Sequence, residues 1–327
     1  MAQTIRLPFV TLDVFTNERY AGNPLAVVRV PQSQTISQEQ KQIIAREFNY
    51  SETVILHDEE TEYRAGASRT IDIFMTDAEL PFAGHPTIGT ACLLGAAGIG
   101  NEHDESQIQG TIVTKTGPIP FRYDSITQAA YAEVPHNFHI HKRHLSLAET
   151  AQRGFAKLLS ENIVCPSPFV SIVKGMTSAL VQLSSNEILS AVTPGQPDLG
   201  DDLDRPWHSE SSLLCLYFFV NNGMRANGTV SLSTRMVVGS LEDPATGSAA
   251  LGLSAYLAIQ MLQDHPRSDL TSAEEHWTSR FEIEQGLDMG RLSRIETEVW
   301  LNRTTKEVQK VVLGGSAVKV MEGHLSI

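Results

Sequence analysis

One short signature occurs twice in this chain and limits the folds open to it. The first copy runs Pro86-Thr87-Ile88-Gly89-Thr90-Ala91-Cys92-Leu93, the second Pro244-Ala245-Thr246-Gly247-Ser248-Ala249-Ala250-Leu251. Both read Pro-x-x-Gly-(Thr/Ser)-Ala-x-Leu. No charged residue occurs from Pro86 to Ala97 or from Pro244 to Gln260. A surface helix carries a polar stripe, and a helix without one is buried on nearly all sides. Two such helices, one in each half, predict a duplicated fold with a curved sheet rolled around one central helix per domain. The small residues Gly89, Ala91, Gly247, Ala249 and Ala250 let strands come close to those helices.

The rest of the pattern is strand-rich. Strands are predicted over 9–15, 25–30, 52–56 and 71–76, with two or three more in 110–134. A helix is predicted over 37–48, opened by a Ser37/Gln40 capping box. Gly98 ends the first apolar helix. A polar, His-rich stretch at 135–145 reads as a junction between domains. Beyond it come a helix near 147–159 and strands near 169–174, 179–183, 214–220, 281–285, 295–301, 308–313 and 317–321. There is no regular alternation of strand and helix, so a parallel doubly wound sheet is not expected. The expected class is α/β (α+β), with two domains of curved mixed sheet, residues 1–127 and 128–327. The last C-terminal residues are expected to complete the first.

With 327 residues, 41% hydrophobic and 19% charged, the chain has room for two globular domains. A net charge of −13 argues against nucleic acid as a partner, which needs a basic surface. No uninterrupted apolar run reaches about 18 residues, so no membrane span is expected. Cys92, Cys165 and Cys215 form no CxxC pair and read as buried, reduced thiols of a cytoplasmic protein. The N-terminus shows no signal-peptide core. His136, His139, His141 and His144 cluster at the junction, with Lys142 and Arg143 among them and no carboxylate or cysteine. Zinc needs three or four supported ligands, so this reads as a solvated linker and no metal is expected. Asp201, Asp202 and Asp204 read as an exposed acidic loop. There is no Walker motif, no Gly-x-Gly-x-x-Gly after a strand and no nucleophile elbow around Ser248. No cofactor is expected.

The two helix starts carry the chemistry. Proline is favoured at a first helical position. The backbone N–H groups that follow sit at the positive end of the helix dipole and suit a carboxylate or phosphate. Plain capping is the alternative. His85 precedes one start, which favours the neutral imidazole. Asp243 precedes the other, where an anion is favoured and where it could also serve as N-cap.

Several segments together resemble the PhzF family, the phenazine biosynthesis-like isomerases, relatives of diaminopimelate epimerase. They are Gly22-Asn23-Pro24-Leu25-Ala26-Val27-Val28, Asn49-Tyr50-Ser51-Glu52-Thr53, Pro81-Phe82-Ala83-Gly84-His85-Pro86-Thr87, Gly175-Met176-Thr177-Ser178-Ala179-Leu180, Glu242-Asp243-Pro244-Ala245-Thr246-Gly247-Ser248-Ala249, and Glu284-Gln285-Gly286 with Met289-Gly290-Arg291. The resemblance covers almost the whole chain. It implies two pseudo-symmetric domains with a site in the cleft between them, usually a homodimer, and cofactor-independent proton transfer at carbon. It implies that Glu52 shuttles the proton, although by spacing alone Glu52 could be an edge-strand charge. His85 and Asp243 match active-site positions, as does Ser248. Asn23, Ser51, Gly84, Thr87, Thr246 and Gly247 match the surroundings of the substrate. The thiol pair of diaminopimelate epimerase has no counterpart, so a carboxylate-based acid–base mechanism on a small carboxylated substrate is expected. Arg235-Met236-Val237-Val238-Gly239 and Leu292 depart from the family pattern. The competing expectation is a protein that keeps the fold but only binds a ligand or a protein.

Overall fold

A computed structural model describes residues 5–58, 68–99, 101–104, 106–152, 160–195, 199, 202–209, 212–264 and 275–327. The chain divides into two compact units, Met1–Glu133 with Leu313–Ile327, and Val134–Val312. The first holds β1 (Arg6–Val14), β2 (Asn23–Pro31), α1 (Gln38–Phe48), β3 (Thr53–Asp58), β4 (Ser68–Phe74), β5 (Glu79–Leu80), α2 (Gly84–Ala96), β6 (Asn101–Asp104), β7 (Gln107–Thr114), β8 (Gly117–Asp124) and β9 (Ala129–Glu133). The second holds β10 (His139–Leu145), α3 (Leu147–Gln152), β11 (Ser167–Val173), β12 (Met176–Gln182), α4 (Asn186–Ser190), β13 (Leu213–Met224), β14 (Thr229–Val238), β15 (Leu241–Asp243), α5 (Gly247–Asp264), β16 (His276–Gln285) and β17 (Ser293–Asn302). The last strand, β18 (Val308–Ser326), has residues in both units.

In the first unit eight strands close a barrel in the order β1–β2–β3–β4–β7–β8–β9–β18 and back to β1. β2–β3 and β4–β7 are parallel, and α1 and α2 lie in the connections between their strands. The second unit repeats this plan as β11–β12–β13–β14–β16–β17, parallel at β12–β13 and β14–β16. There α4 and α5 occupy the matching connections. Short hairpin strands, β5 and β15, precede the two apolar helices. The duplication seen in the signature is thus a duplication of topology.

Helix α2 packs against β1, β2, β3, β7, β8 and β9, and eleven of its 13 residues are buried. A methyl on Gly89 would lie 2.6 Å from Leu25 Cδ2 and 2.8 Å from Val14 Cγ2, so the absent side chain makes room for the barrel wall. Helix α5 packs in the same way against β11, β12, β16 and β17. An outer layer completes each core. Ile44 of α1 joins Leu7, Val28, Ile55 and Phe74, and Leu189 of α4 joins Phe169, Val181 and Phe218. The Ser37/Gln40 capping box forms as expected, with both reciprocal hydrogen bonds.

Three local expectations need correction. Pro86 is the third residue of α2, and Pro244 lies ahead of α5, so neither occupies the first helical position. At Pro86 the missing N–H still falls in the first turn, where no intrahelical acceptor exists. Before Pro244, the ring disfavours helix for Asp243, and Asp243 stays in β15. The strands expected at 308–313 and 317–321 are one strand. Gly314 between them is not a turn residue, because its added methyl would lie 2.6 Å from Tyr131 Cε1. The helix expected near 147–159 is described as α3 to Gln152, and 153–159 lie outside the described residues. Among the described residues, no helix is long and apolar enough to cross a membrane.

Candidate active site

In the first unit the site grows from the end of α1. Asn49 stops the helix in the left-handed conformation, φ +54°, which asparagine tolerates better than most residues. Its N–H donates to the Ala45 carbonyl at 3.1 Å. The turn then delivers Ser51 and Glu52 to the mouth of β3. His85, second residue of α2, brings Nδ1 to 3.6 Å from Glu52 Oε2, with the two side chains 5% and 18% exposed. Burial raises the Glu52 carboxyl above its usual range, against a hydrogen bond with Ser51 that lowers it. Such a carboxyl moves toward the pH at which it can both take and return a proton.

The start of α2 has no side-chain cap. The Thr87 hydroxyl donates back to the Ala83 carbonyl at 2.8 Å, and Gly84 is buried at the first position. Asn23, 1% exposed, opens β2 opposite Val14. Gly22 before it has φ +65° and no room for a side chain against the Val14 carbonyl.

In the second unit, the β14–β15 hairpin sets Asp243 opposite Met236. Arg235 braces the hairpin. Its Nε and Nη2 donate to Glu242 at 2.7 and 2.8 Å, and Nη1 donates to the Leu189 and Ser190 carbonyls at 3.0 Å each. The Thr246 hydroxyl donates to Asp243 Oδ2 at 2.5 Å, and the Thr246 carbonyl accepts from Ala250 N–H at 3.0 Å. Thr246 therefore stands as the cap of α5, with Gly247 and Ser248 in its first turn. Buried Gln285 donates to the Asp243 carbonyl at 2.8 Å and to Thr246 Oγ1 at 3.0 Å.

Within the first unit, Ser51, Glu52 and His85 come together; within the second, Asp243, Thr246 and the start of α5. Nothing in the local sequence gives a role to Gln285, Tyr217 or Arg235: Gln285 and Arg235 stand inside short motifs, and Tyr217 in an ordinary apolar strand.

The histidine cluster also changes character. Asp204 joins it, supplying the carboxylate that the local sequence lacks. Its Oδ2 lies 2.9 Å from His139 Nε2, and its N–H donates to His141 Nδ1 at 2.9 Å. The His141 proton therefore sits on Nε2, 2.8 Å from Ser171 Oγ. Burial and neighbouring His139 push His141 down to about 4. His139 stacks on Trp207 at 3.8 Å. His139, His141 and Asp204 offer donor atoms within 4.8 Å of one another, but hydrogen bonds already engage all three. They tie the Asp204–Trp207 turn to β10. Asp202 of the acidic run pairs with Arg143 at 3.0 Å, and Asp201 lies outside the described residues.

Known proteins match this chain along its length. The sequence model of the phenazine biosynthesis-like protein family, PhzC-PhzF, matches residues 12–323. An uncharacterized isomerase of Mesorhizobium japonicum is 30% identical, over 98% of each chain. The trans-2,3-dihydro-3-hydroxyanthranilate isomerase of Pseudomonas aeruginosa is 29% identical, over 97% of this chain and 98% of that one. The crystal structure of a PhzF-family phenazine biosynthesis protein of Bacillus anthracis superposes with a TM-score of 0.71 at 19% identity, covering 99% of this chain and 100% of that one. The barrel topology, the paired apolar helices and a family match spanning nearly every element agree: the chain belongs to the PhzC-PhzF family of phenazine biosynthesis-like proteins.

Proposed function

We propose that this protein is a cofactor-independent isomerase that moves a proton between carbons of a small carboxylated substrate. The observation that carries the reading is the Glu52–His85 pair, in which a half-buried carboxyl with raised proton affinity lies 3.6 Å from a buried imidazole. Ionised Glu52 takes a proton from one carbon. The electron pair left behind spreads into the system conjugated with the substrate carboxylate, which backbone N–H groups at a helix start stabilise. Protonated Glu52 then delivers the same proton to a second carbon, and no oxidant or external acid is consumed. His85 orients the substrate or assists the transfer. On the family match, Asp243, Thr246, Gly247 and Ser248 act on the substrate side, and the active form is a homodimer. Relatives named as isomerases support the class of reaction.

Glu52→Gln keeps the shape and removes the base. Purified protein screened against cyclic and amino-acid carboxylates identifies a substrate, and the variant should then turn it over about 10²–10⁴-fold more slowly. A folded Glu52→Gln protein with undiminished turnover would refute the assignment.

A further inference from the structure

We infer that Gln285 is a positioning residue, holding Asp243 as a hydrogen-bond acceptor through a one-way relay that begins at Tyr217 and passes through Thr246. The orientation of the Gln285 amide follows from its neighbours. The Asp243 carbonyl can only accept and the Thr246 N–H can only donate. Nε2 must therefore face the first, at 2.8 Å, and Oε1 the second, at 3.4 Å. With the amide so placed, its other N–H points to Thr246 Oγ1 at 3.0 Å, and its oxygen takes the Tyr217 hydroxyl at 3.0 Å. Thr234 Oγ1 lies 3.1 Å from the same phenol oxygen but has a proton of its own, 3.2 Å from the Glu284 carbonyl, whereas the amide oxygen has none to offer, so the phenol proton goes to Gln285. Burial holds the Tyr217 phenol far above its usual range, so it stays protonated and remains a donor.

The direction of the last bond follows by counting protons. Thr246 Oγ1 accepts from Gln285, and its single proton goes to Asp243 Oδ2 at 2.5 Å. That length lies in the range of an O–H donor on an ionised oxygen. A protonated Oδ2 would oppose that proton. Each link is directional: Tyr217 O–H to Gln285 Oε1, Gln285 Nε2–H to Thr246 Oγ1, Thr246 Oγ1–H to Asp243 Oδ2.

The backbone is built to deliver Gln285. It ends β16, paired in parallel with Thr234 and antiparallel with Ser293, and it is 1% exposed. Gly286 after it has φ +77°, and a methyl there would lie 2.7 Å from the Pro244 carbonyl. Only glycine lets the strand end press against the segment that carries Asp243.

The relay stands on geometry alone; only its value to turnover rests on the isomerase reading. The test follows the Asp243 carboxyl by carbon NMR in aspartate-labelled protein, its resonance identified by its loss in Asp243→Asn. Gln285→Met removes the relay with little change of volume. Gln285→Asn keeps an amide in the core that is too short to reach Thr246 and Tyr217 together, and serves if the methionine variant does not fold. Either frees the Thr246 hydroxyl to turn away from Asp243 and should move the Asp243 titration midpoint upward, as a weakened donor to a carboxylate does. Thr246→Val should do the same and Thr246→Ser should not. Gln285→Met with Thr246→Val should shift no further than the larger single change, because both break one chain. An unmoved midpoint in the folded Gln285 variant, or additive shifts, would overturn the relay whatever the turnover. If the midpoint moves while Glu52→Gln keeps full activity, the isomerase reading falls and the relay stands.

Discussion

Replacing Arg235 by methionine keeps the bulk of a buried side chain and deletes its charge. The guanidinium is 7% exposed and its partner Glu242 11%. Its four hydrogen bonds link β14 to β15 and to the end of α4. A buried ion pair adds little net stability, but removing one partner strands the other charge and costs about 3–5 kcal/mol. Here the Leu189 and Ser190 carbonyls also lose their donor. Trp207, Trp277 and Trp300 all belong to the second unit, so tryptophan fluorescence in urea reads that unit. With an m-value of about 2–3 kcal/mol/M, the urea midpoint should fall by about 1–2 M. Glu242→Gln added to Arg235→Met removes the stranded charge and should recover about half the loss or more. A single variant as stable as wild type, or a double variant no better than the single, would refute this account of the hairpin that presents Asp243.

Glu52→Gln should trade activity for stability. Burial raises the folded-state carboxyl, so its contribution is present below the unfolded value and lost as pH rises through the folded one. The variant should therefore melt higher than wild type at pH 8, and lose that advantage near pH 4; a lower melting temperature at pH 8 contradicts this. Asp72 behaves in the opposite sense. Burial opposes its ionisation, but hydrogen bonds from His57 and Lys41 outweigh it and hold the group at about 2. Its stabilisation is present above the ordinary aspartate range and lost as pH falls from about 4 through about 2. Acid unfolding of the first unit, followed by circular dichroism, should be shallower there in Asp72→Asn. Gly89→Ala should destabilise by about 1–3 kcal/mol through overpacking against Leu25 and Val14, measured by thermal melts; a neutral effect would mean that the barrel wall yields.

Much of the architecture was legible in local sequence. A helix without a charged residue has to be enclosed, and two of them at equivalent places require a repeated enclosure. The Ser37/Gln40 box is likewise decided within a few residues. Glu52, His85 and Asp243 stood in recognisable motifs.

Local pattern could not show what long-range pairing would do. A Gly-Gly-Ser run that reads as a turn continues as strand, because Gly314 lies against Tyr131, far back in the chain. The histidine stretch looked free of carboxylates until Asp204 arrived from a distant turn. The chain alone determined that two buried helices would begin within a few residues of an ionisable side chain. Tertiary structure alone decided which polar atoms face those residues. Proton affinity and hydrogen-bond direction depend on burial and on partners a few ångströms away, and Tyr217, Thr246 and Gln285 meet only after the sheet has paired.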